Sequence, residues 1–140
     1  MSTIYSEIIE RMINKADKKE NSDKWAKEVK GTVESINKEF KNISSNNYSI
    51  ATIQNLVRLY RRGNELISQM VMKDLGSNYP YHGVLLVSSV CYIPSVLEEI
   101  ESDVPEYAIE NMKDSLAIAT DDERNYIDRV LQKYFFEIMM

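Results

Sequence analysis

Four basic side chains in the middle of the chain have the types and spacing that suit contact with phosphate groups. Arg58, Arg61 and Arg62 occur within five positions of one another, and Lys73 follows on the same segment. Guanidinium groups form bidentate hydrogen bonds with phosphate oxygens, and a lysine adds a point charge. We therefore predict a nucleic-acid-binding site at these four residues, one that contacts the backbone and does not read base sequence.

The element that must position these side chains is a helix, predicted from Ile50 to about Leu75, with Ser49 as its N-cap and Gly76 as its C-terminal stop. At about 100° per residue, one set of polar side chains falls within about 60° of a single direction. That set is Asn55, Arg58, Arg61, Arg62, Glu65, Gln69 and Lys73. The apolar set opposite is Leu56, Val57, Tyr60, Ile67 and Val71.

Two interpretations of this polar face stay open. Any exposed helix face needs polar residues, so the arginines can be ordinary surface groups. The alternative is a strip that contacts a nucleic-acid backbone, with further positive charge close by in sequence. That charge would come from Lys27, Lys30, Lys38 and Lys41, and aromatic surface from Tyr48 and Tyr60 where either is exposed.

Catalytic and metal chemistry have little support in the sequence. His82 is the only histidine and Cys91 the only cysteine, and Cys91 falls in the most apolar stretch, where a thiol is usually inert packing. The carboxylate runs "EEIES" and "DDE" lack the helical ligand spacing of metal sites, and are interpreted as solvated faces or helix starts. The four glycines are scattered, so there is no phosphate-binding loop. We predict no catalytic residue, no metal and no cofactor, and a protein that is not an enzyme.

Composition indicates one helical domain, residues 1–140. The chain has 140 residues, of which 44% are hydrophobic, with only 4 Gly and 3 Pro to supply turns. Sheet proteins need turn residues about every 8–12 positions, so these numbers predict an all-α fold. We predict a compact bundle of about six helices, with an N-terminal helix pair and a C-terminal four-helix part. A possible subdomain hinge lies at 42–49, in the polar stretch "NISSNNYS".

Apolar periodicity places the other helices. The first is predicted from Thr3 to about Lys18 on Ile4, Ile8, Met12 and Ala16. The second is capped by Asn21 or Ser22 and buries Trp25, Val29, Val33, Ile36 and Phe40. The fifth has Ser102 or Asp103 as its cap and Ile109, Met112 and Leu116 on its inner face. The last follows a capping box of Thr120 and Glu123.

The most apolar stretch, "VLLVSSVCYI", predicts a fully buried helix that Pro94 kinks or ends. Its ten residues fall short of the roughly twenty that span a bilayer, so no membrane helix is predicted. The N-terminus shows no signal-peptide pattern, and a single cysteine fits a reducing compartment. We therefore predict a cytoplasmic, soluble protein.

Charge is unevenly distributed along the chain. The net charge is −5, yet basic residues outnumber acidic ones in residues 1–75, and acidic residues dominate residues 76–140. The two halves could dock head to tail or face different partners. The C-terminal "YFFEIMM" carries more apolar residues (Phe136, Met139 and Met140) than one buried stripe requires. They either close the bundle or contact a neighbouring subunit.

Three segments together resemble the small helical subunit of type III (Csm/Cmr-type) CRISPR effector complexes. They are "YSIATIQNLVRLYRR", "VCYIPSVLEEI" and "DDERNYIDRVLQKYFFEIM", within about residues 48–140. The resemblance implies a non-enzymatic subunit that self-stacks and contacts the backbone of RNA or single-stranded nucleic acid beside other protein subunits. It assigns that contact to Arg58, Arg61 and Arg62. The chain departs from the family pattern after Tyr92, where no arginine follows.

A second resemblance gives the alternative function. The segment from "VSSVCYIPSVLEEI" to "TDDERNYIDRVLQKYF" is similar to the last helices of poxviral Bcl-2-like immunomodulators. That likeness implies a helical protein–protein interaction module, such as a viral accessory protein, that binds host helices in a groove.

Overall fold

The computed structural model describes residues 3–19, 23–100 and 120–139. In chain order these form α1 (Thr3–Asp17), α2 (Lys24–Ser44), α3 (Ile50–Lys73), the single turn α4 (Leu75–Asn78), α5 (Pro80–Glu99), α6 (Asp121–Tyr126) and α7 (Gln132–Met139), with a π-helical segment Ile127–Leu131 between α6 and α7. The described residues contain no strand, which confirms the predicted all-α bundle. The predicted fifth helix, with Ser102 or Asp103 as its cap, lies outside the described residues.

Helix α5 lies at the centre and contacts α1, α2, α3, α4 and α7. Every residue from His82 to Val90 is buried, so the prediction of a buried helix there is confirmed. By length and composition α5 is also apolar enough to cross a membrane, which the ten-residue run in the sequence did not indicate. Since 67% of its apolar window is buried inside the bundle, we interpret α5 as a core helix.

One detail of α5 differs from the sequence prediction, and another excludes one of the two predicted effects of Pro94. Cys91 is exposed, so the prediction that this thiol packs inside the core is wrong. The helix also continues past Pro94 to Glu99 and does not end there. Ile93 and Val96 on either side of the proline are buried, and their packing offsets the one backbone hydrogen bond that proline removes.

Helices α3 and α5 approach closely at Gly63. A Cβ atom placed on Gly63 would lie only 2.3 Å from Cγ2 of Val90, so no larger residue fits without movement. This contact turns one face of α3 toward the core, with Leu56, Leu59 and Leu66 buried. The opposite face is thereby directed outward.

Some helices begin and end at residues other than those predicted, because nearby side chains cap them there. Asp23 caps α2, in place of Asn21 or Ser22, because its carboxylate accepts hydrogen bonds from the backbone N–H groups of Trp25 and Ala26. Ser49 forms the predicted cap of α3 in a capping box with Thr52. Helix α3 ends at Asp74, in the left-handed region at φ 51°, and not at Gly76.

Asp74 tolerates this conformation because its carboxylate is held from both sides. Its Oδ1 accepts hydrogen bonds from Ser77 Oγ at 2.7 Å and from Tyr126 Oη at 2.5 Å. These bonds lower the pKa of Asp74, and the bond from Ser77 has the larger effect. Gly76 instead serves packing, since a Cβ there would lie 3.0 Å from the Tyr126 hydroxyl.

The N-terminal helices pack into the same core as the rest of the chain. The residues predicted to form the inner face of α2, from Trp25 to Phe40, are buried as expected. On α1 the buried stripe is Ile9, Met12 and Ala16, whereas Ile4 is 57% exposed, contrary to prediction. Helix α2 extends to Ser44, so the loop before α3 is shorter than the predicted hinge at 42–49.

Candidate nucleic-acid interface

A groove of about 310 Å³ separates the start of α2 from the end of α3. Its walls include Lys24, Trp25 and Glu28 from α2, and Arg62, Gln69 and Lys73 from α3. We call this surface the α2–α3 groove. Two of the four predicted site residues, Arg62 and Lys73, therefore line one depression together with the start of α2.

The groove is held in place by contacts between the two helices. Trp25 is buried, and its indole Nε1–H donates a hydrogen bond to the Leu66 carbonyl oxygen at 3.0 Å. The Asp23 cap fixes the first turn of α2 next to the hydrogen bond between Trp25 and Leu66. Because both ends of the contact are rigid helix, Lys24 and Lys73 are held on opposite walls.

Arg62 is already engaged inside the protein. Its guanidinium lies 2.8 Å from Glu28 Oε2 and 3.1 Å from Glu65 Oε2. An arginine that bridges two carboxylates has little net charge left to offer a phosphate. The ion pair with Glu28 thus makes Arg62 a structural link between α2 and α3, and its role in binding a ligand is secondary.

Three other cations have no such partner. Arg58 lies one turn before Arg62 on the same edge of α3 and is exposed. Arg58, Lys24 and Lys73 make no ion pair or hydrogen bond through their side chains with any described residue. Positive charge without a counter-charge is the arrangement that attracts a phosphate backbone.

Arg61 does not line the α2–α3 groove. Neighbouring residues on a helix are about 100° apart, and Arg62 turns toward α2, so Arg61 is rotated away from the groove. It is exposed on the outer side of α3. The structure therefore brings Arg62 and Lys73 together in the groove wall, whereas Arg58 and Arg61 are exposed on α3 outside it.

Two of the four lysines predicted to add charge nearby are paired with α1, whereas Lys27 and Lys38 are exposed. Lys30 pairs with Asp17 at 3.0 Å, which raises the pKa of the lysine, and Lys41 pairs with Glu10. Both pairs join α2 to α1 and lie on the edge away from α3. Lys24 is the groove residue that sequence reasoning missed, although its spacing of four residues from Glu28 could have placed both on one edge.

The groups considered for catalysis are not brought together. His82 is buried near the start of α5, and Cys91 is exposed nine residues later, about 13 Å along the axis. Desolvation by the surrounding protein lowers the pKa of His82 and raises that of Cys91. Among the described residues, no group of three or more His, Cys, Asp or Glu side chains has an arrangement that could hold a metal ion.

The aromatic side chains considered for base contact are only partly accessible. Tyr48 and Tyr60 are both half-buried, and neither lines the α2–α3 groove. At the other end of the chain Phe136 is 73% exposed, so it does not close the bundle. The side chains of Met139 and Met140 lie outside the described part of the structure.

Comparison with known proteins adds no relative. No protein-family model matches the chain, and it matches neither a curated protein nor a solved structure. The resemblance to the small subunit of type III CRISPR effector complexes therefore stays a prediction.

Proposed function

We propose that this protein is a non-enzymatic subunit of an RNA-guided CRISPR effector complex that contacts the nucleic-acid backbone. In this proposal the α2–α3 groove receives backbone phosphate groups of RNA or single-stranded nucleic acid in the complex. Lys24, Arg58 and Lys73 make the contacts, beside the neighbouring protein subunits of the complex. Because backbone phosphates carry no sequence information, binding is independent of base sequence.

One observation carries the proposal: Lys24 on α2, and Arg58 and Lys73 on α3, form no ion pair with any described residue of a chain whose net charge is −5. Some surface cations of this protein are paired with carboxylates, among them Lys30, Lys41 and Arg62. Lys24, Arg58 and Lys73 are not, and they lie in or beside one groove, so their charge is available to an external anion.

Fluorescence anisotropy with labelled single-stranded and duplex RNA tests this proposal. The variant Lys24→Ala/Arg58→Ala/Lys73→Ala should bind RNA at least about tenfold more weakly than the parent at low salt. A matched control is Arg11→Ala/Lys18→Ala/Arg124→Ala, which removes the same charge from exposed positions away from the groove. The control should bind like the parent; equal binding by all three proteins refutes the proposal.

A second candidate function has an observation of its own. Phe136 and Met72 are 73% and 84% exposed, and large apolar side chains left in water are typical of surfaces that bind another protein. This favours a helical protein–protein interaction module that uses these side chains instead of the groove.

Co-purification from the source organism separates the two functions. Recovery of RNA-guided effector subunits and RNA with the tagged protein supports the first, whereas recovery of an unrelated partner without RNA supports the second. The variants Phe136→Ser and Met72→Ser should abolish partner recovery only if the second function is correct.

A further inference from the structure

A second depression opens beyond the α2–α3 groove, at the junction of α4 and α5. It is a cleft of about 550 Å³ lined by Lys19, Asn78, Tyr79, Tyr81, His82 and Tyr134. We call it the tyrosine cleft. Its volume falls within the range of small-molecule sites, and its walls combine aromatic rings with a few polar groups, as such sites do.

The rings in this cleft are fixed by contacts at their edges. Tyr81 and Tyr134 meet edge to face with centroids 5.8 Å apart, and Tyr81 Oη donates a hydrogen bond to Glu137 Oε2 at 2.8 Å. Rings held in this way lose little freedom when a flat ligand stacks on them.

Each of these rings has a lysine over one face, and the Glu137 carboxylate lies at the edge of Tyr81. The Lys19 ammonium lies 4.6 Å from the centre of the Tyr81 ring, and the Lys133 ammonium lies 5.0 Å from that of Tyr134. Arg129 and Lys133 line a hollow that shares Ser77 and Tyr134 with this region. Aromatic faces flanked by cations are the combination with which proteins bind single-stranded nucleic acid.

A buried polar atom at the cleft wall is left without a partner. His82 lines the cleft and is only 1% exposed, and its Nε2 makes no hydrogen bond to any described residue. Buried polar atoms are nearly always paired, so this nitrogen is a spare hydrogen-bonding group at the cleft wall. The edge of a nucleobase carries donors and acceptors of the required kind.

The tyrosine cleft adjoins the α2–α3 groove. Trp25 lines the groove and Tyr79 lines the cleft, and their rings lie 6.4 Å apart between centroids. The single turn of α4 separates the two, with Leu75 in the groove wall and Asn78 in the cleft wall. A strand whose phosphates lie in the groove would reach the cleft with its next nucleotides.

We propose that the tyrosine cleft holds an unstacked base of the single-stranded nucleic acid whose backbone occupies the α2–α3 groove. This inference rests on the proposed function, because it requires the strand to be present. Stacking on Tyr81 and Tyr134 tolerates any base, since every base has an aromatic face. The site therefore adds affinity for single strands over duplexes, in which the bases are already stacked.

The test compares two labelled RNA octamers of equal charge, octauridine and the same strand with abasic ribose at its four central positions. The parent should bind octauridine about tenfold more tightly than the abasic strand. Tyr81→Ala/Tyr134→Ala should remove that difference, and Tyr81→Phe/Tyr134→Phe should retain it. The groove variant Lys24→Ala/Arg58→Ala/Lys73→Ala should weaken both complexes and leave their ratio unchanged.

The experiment distinguishes failure of the cleft proposal from failure of the groove proposal. Equal binding of the two octamers by the parent overturns the cleft proposal and leaves the groove proposal intact, whereas binding of neither overturns both. Photo-crosslinking of 4-thiouridine octamers to the parent protein needs no cleft variant, so it is unaffected by misfolding. Crosslinks on the peptide containing Tyr79 and Tyr81 support the cleft, and crosslinks found only on α3 contradict it.

Discussion

The guanidinium of Arg62 on α3 lies 2.8 Å from the carboxylate of Glu28 on α2, across the floor of the α2–α3 groove. This pair makes the groove less positive than its sequence indicates, because the charge of Arg62 is already neutralised within the protein. Arg62 thus links two helices, whereas Arg58 makes no ion pair with any described residue.

Removal of the Glu28 charge should therefore increase RNA affinity. The variant Glu28→Gln frees Arg62 from one of its two carboxylates, and we expect binding to strengthen about threefold at low salt, measured by anisotropy. Glu34→Gln is the matched control, since Glu34 pairs with Lys30 away from the groove. A rise of the same size in the control would mean that only net charge matters.

The contact between Gly63 and Val90 predicts opposite effects of two glycine substitutions. Gly63→Ala places a methyl group against Val90 and should lower the free energy of unfolding by about 1–3 kcal/mol. Gly31→Ala should raise it by about 0.5–1 kcal/mol, because Gly31 is helical and no atom lies within 4 Å of its added Cβ. Urea denaturation measures both.

A Val90→Ala background checks the cause of the first effect. If the clash with the valine methyl is responsible, Gly63→Ala should cost little in that background. An equal destabilisation with and without Val90 would place the strain elsewhere.

The Tyr126 hydroxyl joins the last helices to the end of α3. It accepts a hydrogen bond from the buried Gly76 N–H at 3.0 Å and donates one to Asp74. Tyr126→Phe leaves the N–H without a partner and should lower the free energy of unfolding by about 1–3 kcal/mol, seen as a shift of the urea midpoint. Tyr5→Phe should change it by less than about 0.5 kcal/mol, because no hydrogen bond of the Tyr5 hydroxyl occurs among the described residues.

Stability should depend on pH through His82. Burial lowers its pKa below the ordinary value of 6.5, although Asp17 nearby raises it in part and Lys30 lowers it further. The unfolded chain therefore takes up the proton first, so the free energy of unfolding should fall as pH decreases below about 6.5. His82→Gln should flatten the profile between about pH 7.5 and 5.5.

His82 is the only histidine, which makes its titration directly observable by NMR. The imidazole signal should titrate below the ordinary value in the folded protein. A pKa at or above 6.5, or a pH profile of stability that His82→Gln leaves unchanged, would contradict the assignment of this dependence to the buried imidazole.

The sequence was sufficient for the elements whose determinants are local. Apolar spacing predicted α3 and the buried face of α2, and Ser49 predicted the start of α3. The capping box at Thr120 was only half right. Thr120 accepts from the Glu123 N–H, but the Glu123 carboxylate accepts instead from Ser68 on α3, a contact 55 residues away in sequence.

In the candidate site, too, only the features with local determinants could be predicted from the sequence. That Arg58 and Lys73 lie on one edge follows from helical spacing, which the sequence contains. The engagement of Arg62 depends on where Glu28 comes to lie, and the diversion of Lys30 and Lys41 depends on the packing of α1. Those contacts are set by tertiary packing, and no pattern within one helix reveals them.

The salt dependence of RNA binding tests the central claim most directly, since each phosphate neutralised by a cation contributes a countable amount to it. We predict that Lys24→Ala/Arg58→Ala/Lys73→Ala reduces the slope of log K against log salt concentration by about 2 for single-stranded RNA, at about 0.7 for each cation removed from a phosphate. The control Arg11→Ala/Lys18→Ala/Arg124→Ala should leave the slope unchanged. An unchanged slope in the groove variant would show that these side chains do not contact phosphate.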